Sequence, residues 1–141
     1  MIGDSLPTAI GDDLNGSIGT VPGTDSPGAT KFNEIAEANN FKAGPYTKES
    51  YDSAALIMLA MQAANSTNSN DFKSKVMDVA NAPGEKIFPG ELAKGLKLLS
   101  EGKEIDYVGA SAVELIGGGE SAGNFAEILI DNQKVTTVGY K

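Results

Sequence analysis

Residues 47–64 read TKESYDSAALIMLAMQAA, and how this stretch is read decides the fold. Thr47 can cap a helix start, and Glu49 and Asp52 put negative charge in the first turns, where the macrodipole favours it. From Ala54 to Met61 every residue is apolar. An amphipathic helix would break such a run with polar residues on one side. This run is apolar all round, so it predicts a helix covered on most sides, between a sheet and other helices. It is too short to span a bilayer, and Lys48, Glu49 and Asp52 crowd its start.

Working outward, the neighbouring helices have one apolar face each. Ser26-Pro27 is a helix start, with a cap followed by proline. Phe32, Ile35 and Ala36 then recur at helical spacing, and Asn39-Asn40 ends the element. Phe72, Val76 and Val79 mark a helix over 71–80, and Leu92, Leu96 and Leu99 mark another over 91–99. Residues 81–90 are rich in turn formers and read as a connection. Residues 1–3 could be the tail of a strand, 4–15 a loop with one helical turn near Leu14, and 17–21 a short strand. Residues 112–116 are a strand candidate, followed by a glycine-rich turn at 117–123. The runs 124–130 and 134–138 are β-rich and joined by Asp131-Asn132-Gln133, which predicts a hairpin. The fold class is therefore α/β, with helices packed on an incomplete sheet and a C-terminal β-hairpin. A parallel sheet needs more strands than these to cover its helices.

With 141 residues the chain is long enough for one domain with a sizeable core. A net charge of −8 argues against nucleic acid as a partner, because phosphates call for a basic patch, and it disfavours an anionic membrane. Cysteine and histidine are both absent. There is no thiol nucleophile, no imidazole base and no zinc site of the usual kind, so no metal or cofactor is expected. The start, Met1 to Pro7, has no basic region and no apolar run of the kind a signal peptide needs.

Several stretches resemble a known family. Tyr51-Asp52-Ser53-Ala54-Ala55 through Thr67, Pro83 to Lys86, Glu91 to Ser111 and the closing hairpin around Asp131 are similar to segments of type I periplasmic solute-binding proteins. These are the receptors of branched-chain amino acid ABC transporters. Asp13 to Thr20 resembles the stretch just before one of that family's crossovers between lobes. The resemblance runs over nearly the whole chain but over only the last part of the family's length. It implies a C-terminal fragment of a periplasmic binding protein type I fold, as a truncated product or a short divergent homologue. Residues 1–22 would be a piece of the C-terminal lobe, 23–104 the helical part of the N-terminal lobe, and 105–141 the crossover and closing strands. Exposed strand edges and the apolar helix would seek cover, which implies self-association.

The resemblance also implies a function and a site. The function would be the receptor component of an ABC importer. It would bind an amino acid or similar small polar solute between lobes and present it to a membrane permease, in the periplasm. The family holds the ligand's ammonium with a carboxylate. Asp4 falls nearest that position, and Ser5 takes it if the alignment runs without a gap. The plain alternative for Asp4 is a loop or cap residue. Tyr46 precedes the central helix where the family places an aromatic lining the cleft; the alternative is a ring packed on the turn at Gly44-Pro45. Tyr51 reads as core and Asp52 as a helix N-terminal charge rather than a ligand. Gly117-Gly118-Gly119 lacks the lysine and the following helix of a phosphate loop and reads as a hairpin turn. Asp12-Asp13 and Glu101 with Glu104 have no nucleophile or apolar pocket beside them, so no enzymatic role is expected. A second reading is a non-binding structural or dimerisation module that keeps the receptor fold's helices.

Overall fold

The computed structural model describes residues 5–81 and 83–141. The elements, in chain order, are α1 (Ser5–Ile10), a 3-10 turn (Asp12–Leu14), β1 (Ile18–Pro22), α2 (Pro27–Ala38), α3 (Thr47–Ala64), α4 (Ser69–Phe72), α5 (Lys75–Ala80), β2 (Glu85–Ile87), α6 (Leu92–Ser100), β3 (Ile105–Tyr107), β4 (Leu115–Gly117), β5 (Glu120–Ser121), β6 (Phe125–Asp131) and β7 (Lys134–Tyr140). The chain divides into two compact units: residues up to Asp25 with Gly123–Lys141, and Ser26–Ala122.

The first unit is built on an antiparallel sheet in the order β1-β6-β7. β1 pairs with β6 from Ile18 opposite Leu129 to Pro22 opposite Phe125. The expected hairpin is present. Asp131 pairs with Lys134, and Asn132 and Gln133 between them both take positive φ, 48° and 61°. That is the backbone twist a two-residue hairpin turn demands. Alternation along β6 buries Ala126, Ile128 and Ile130 on one face. Residues 5–10, expected in a loop, form α1, with Pro7 in its first turn, where proline's missing N–H costs no helical bond. The expected strand tail at residues 1–3 lies outside the described residues.

The second unit is organised by α3. Ala55, Leu56, Leu59 and Ala60 are buried against Val79 and Ala80 of α5, Ile87 of β2, and Ile105 and Tyr107 of β3. β2 and β3 pair in parallel, with α6 as the crossover between them. Gly95 lets α6 approach closely: a Cβ there would sit 2.9 Å from the Leu59 side chain. The expected cap of α2 is formed, with Ser26 Oγ accepting the Ala29 N–H at 3.2 Å.

Several expectations are corrected here. α3 is not covered on most sides. Its buried face is the one that carries Asp52, Ala55, Leu56, Leu59 and Ala60, while Ile57 and Met58 remain 45 % and 42 % exposed. Among the described residues, helices and strands pack on α3 from one side. Thr47 does not cap it: its Oγ1 accepts the Gly44 N–H outside the helix, and the capping position is Tyr46 in the left-handed region. The helix over 71–80 is interrupted at Lys73-Ser74, giving α4 and α5. The 81–90 connection contains β2, which a local reading misses because its ladder partner lies 20 residues downstream (Glu85 opposite Ile105). The strand near 112–116 begins at Leu115, after Ala112 takes a positive φ of 54°. Asn81 fixes its position: its side-chain amide donates to the Leu115 carbonyl at 2.7 Å and accepts the Leu115 N–H at 3.0 Å.

Two truncations separate core packing from capping. Leu59→Ala removes a fully buried side chain at the centre of the α3 packing and should cost about 2–5 kcal/mol, whereas Ser26→Ala should cost about 1 kcal/mol. Urea unfolding followed by helical circular dichroism reads both. Equal losses would contradict the central place given to Leu59.

Candidate functional site

Asp52 is the residue whose role the sequence conceals most. It sits on α3 one turn before Ala55 and Leu56, on the buried face, and is 2 % exposed. Its Oδ1 accepts the Tyr107 hydroxyl at 2.9 Å and the Ala110 N–H at 2.7 Å. Its Oδ2 accepts the Ser111 N–H at 2.7 Å and the Ser111 hydroxyl at 2.6 Å. All four contacts are donated to it, so the group acts solely as an acceptor. These bonds tie the end of β3 and the turn after it to the first turns of α3. Gly109 makes the turn possible: its φ is +65°, and a Cβ would meet the Asp52 carboxylate at 2.6–2.7 Å. Asp52, expected as a helix N-terminal charge, is instead a buried acceptor of four hydrogen bonds. Its spacing to Ala55, Leu56 and Leu59 was the available signal, since it places an acid on the apolar face.

The hub sets the chemistry of its neighbours. Burial, and then the adjacent Asp52 charge, hold the Tyr107 hydroxyl far above a phenol's ordinary range, so it stays a hydrogen-bond donor. Tyr51, expected in the core, is half-buried and packs against the cluster of Phe32, Ala36 and Ala110. Its ring meets Phe32 edge-on at 5.3 Å, and its hydroxyl accepts the Gly90 N–H at 3.0 Å. Glu91 receives the Phe88 N–H at 2.9 Å, and that hydrogen bond, with the Lys31 and Lys94 charges, keeps its carboxyl below the usual range.

The residues that the resemblance puts forward are placed as follows. Asp4 lies outside the described residues. Ser5 opens α1 in the first unit and is exposed. Tyr46 belongs to the second unit, 48 % exposed, with φ 60°, and its carbonyl accepts both the N–H and the hydroxyl of Ser50. Neither unit by itself brings Ser5 and Tyr46 together. Directly after Tyr46, Thr47 lines a groove of about 630 Å³ with Phe32, Ile35, Ala36, Phe41 and Tyr51. Its walls are largely apolar, and its hydroxyls at Ser50 and Tyr51 are already engaged. Asp52 is equally occupied: buried, with four donors on its two oxygens, it is a structural group and not one that meets a ligand. Gly117, Gly118 and Gly119 form the β4–β5 turn, all with positive φ, as expected for a hairpin. Among the described residues, no three acidic side chains converge as a metal-ligand group.

Comparison with known proteins places the architecture. The leucine-binding protein LivK from Thermotoga maritima matches 97 % of this chain with a TM-score of 0.67 at 15 % identity. The fold is that of part of a type I periplasmic binding protein. The chain spans 34 % of LivK, in agreement with the expected C-terminal fragment of the α/β fold. In sequence, 67 residues are 30 % identical to the chemotactic signal transduction system substrate-binding protein BasB of Halobacterium salinarum, covering 48 % of this chain and 16 % of that one. No protein-family model matches the chain.

Removal of the Asp52 hub should be costly. Asp52→Ala leaves two backbone N–H groups and two hydroxyls without their acceptor and is expected to lose about 3 kcal/mol or more in urea unfolding; a loss under about 1 kcal/mol would contradict the hub. Tyr107 gives a pH signature. Its folded-state ionisation is raised above the unfolded value of 10.0, so its contribution is complete below about pH 10 and falls as pH rises beyond it. Tyr107→Phe should be less stable at neutral pH yet show a shallower alkaline decline. Parallel alkaline limbs in the two proteins would refute this.

Proposed function

We propose that this chain is part of a solute receptor that binds an amino acid or similar small polar molecule in a cleft between two lobes. The observation that carries the reading is the LivK match over nearly all of the chain, joined to the partial sequence match with BasB. Both proteins are named for binding and neither for catalysis, which supports a non-enzymatic role. The chain spans about a third of LivK and a smaller share of BasB, so the match is to a part of each receptor. Residues 1–22 are read as a piece of the C-terminal lobe, 23–104 as the helical part of the N-terminal lobe, and 105–141 as the crossover and closing strands.

In this reading Asp4 or Ser5 meets the ligand's ammonium, and Tyr46 is the aromatic that lines the cleft. An ammonium taken out of water requires such an anionic or hydrogen-bonding partner. Hinge closure around the solute would present one surface of the receptor to its partner. That partner is the permease of an ABC importer, or a signalling protein by analogy with BasB. The site of action is extracytoplasmic, as for the fold's namesakes; among the described residues no helix is long and apolar enough to cross a membrane. One observation favours a second reading, a structural or dimerisation module: the apolar face of α3 is solvent-facing.

Thermal melting with a panel of amino acids tests the reading. A ligand at about a hundredfold excess over its Kd stabilises the folded state by about 2.7 kcal/mol and raises the midpoint by several degrees. Tyr46→Ala and Ser5→Ala should reduce that shift without lowering the ligand-free midpoint. A cooperative melt that no solute moves sinks solute binding by this chain alone and leaves the structural reading.

A further inference from the structure

Asn15-Gly16 is the chain's one Asn-Gly step. It joins the 3-10 turn to β1, and both residues are exposed. Gly16 takes a φ of +82°, a value that favours glycine, while a Cβ there would meet nothing within 4 Å. The backbone path, not crowding, is what places glycine after this asparagine. That neighbour has a chemical consequence. Asparagine is among the thermolabile residues, and its side-chain amide is open to attack by the main-chain nitrogen of the next residue. Glycine offers the least obstructed nitrogen, because it has no Cβ.

In the fold that nitrogen is held. The Gly16 N–H donates to the Ile130 carbonyl at 2.8 Å, and the Ile130 N–H donates to the Ser17 carbonyl at 2.8 Å. On either side, the Asn15 N–H donates to the Asp12 carbonyl at 2.9 Å and the Ser17 N–H to the Leu14 carbonyl at 3.0 Å. Three successive amides are tied, the outer two to the turn and the middle one to β6. To attack Asn15 Cγ, the Gly16 nitrogen must give up its proton and turn toward the side chain. Its bond to Ile130 and the two pinned flanks oppose both.

We propose that Asn15 is a site of spontaneous deamidation that the β1–β6 pairing keeps closed, so that its modification records opening of the first unit. In the opened chain the Gly16 nitrogen loses its proton to solvent and bonds to Asn15 Cγ. The Cγ–Nδ2 bond breaks, and the amide nitrogen leaves as ammonia with a proton taken from water. Water then opens the resulting succinimide at either carbonyl, leaving aspartate or isoaspartate at position 15. Water is the co-reactant and nothing is oxidised or reduced. Either product adds a negative charge close in sequence to Asp12 and Asp13. Isoaspartate also adds a methylene to the main chain ahead of Gly16, which upsets the spacing of the two bonds to Ile130. The inference rests on the first unit's own hydrogen bonds and is independent of solute binding.

The test holds the full chain at mildly alkaline pH, in native buffer and in denaturing guanidinium chloride, and follows each asparagine by peptide mapping with isoaspartate detection. In denaturant Asn15 should deamidate before every other asparagine. In native buffer it should react about tenfold or more slowly, which corresponds to about 1.4 kcal/mol or more of opening free energy. Hydrogen exchange of the Gly16 amide should show matching protection. Ile128→Ala removes a buried side chain of β6 and should raise native deamidation and Gly16 exchange together, leaving the denatured rate unchanged. Gly16→Ala, read in denaturant where folding plays no part, should slow the reaction several-fold, and Asn15→Gln should abolish it. Equal rates in the two solvents overturn the proposal, as does a Gly16 amide in fast exchange while Asn15 stays intact. A denatured chain that deamidates first at another asparagine, or one that Gly16→Ala does not slow, also overturns it.

Discussion

The second unit depends on one buried carboxylate. Asp52 gathers four donors from Tyr107, Ala110 and Ser111, more than 50 residues away in sequence, and fixes the turn after β3 to the start of α3. Burying such a group without partners would oppose folding strongly. With its acceptors filled, it instead ties residues 107–111 to the start of α3. Gly109, Tyr107 and Ser111 are shaped by that demand: one gives the positive φ and the room, one a phenol held as a donor, one a hydroxyl and an N–H together.

The same helix shows how burial and composition part company. α3 has apolar residues on both sides, yet only one side is covered among the described residues. The covered side meets α5, α6, β2 and β3, with Gly95 drawing α6 close to Leu59. The open side has its polar groups turned inward, so its surface is apolar despite its serines. The covered side holds the second unit together.

The first unit has a different logic. Its sheet is antiparallel and its central strand, β6, buries one face by simple alternation. Register is pinned at both ends: by the Asn132-Gln133 turn on one side of β6, and by the Gly16 N–H bond to Ile130 and the Gly23 N–H bond to Asn124 on the other. Local turn chemistry and alternation are enough to specify this kind of ladder.

The sequence by itself determined the elements whose causes are local. The Ser26-Pro27 start of α2, the hairpin with its two-residue turn, the glycine turn at 117–119 and the long central helix all follow from capping, alternation or backbone freedom within a few residues. The α/β class and the likeness to a type I binding protein were legible from the same text, through Tyr51 to Thr67 and Glu91 to Ser111. Only the tertiary structure decided the rest. β2 exists because β3 lies beside it, α1 formed where the sequence reads as a loop, and the covered side of α3 was set by which elements reached it. Asp52 is the clearest case: its spacing to Ala55, Leu56 and Leu59 hints at burial, but the four donors that make it a hub arrive from the far end of β3.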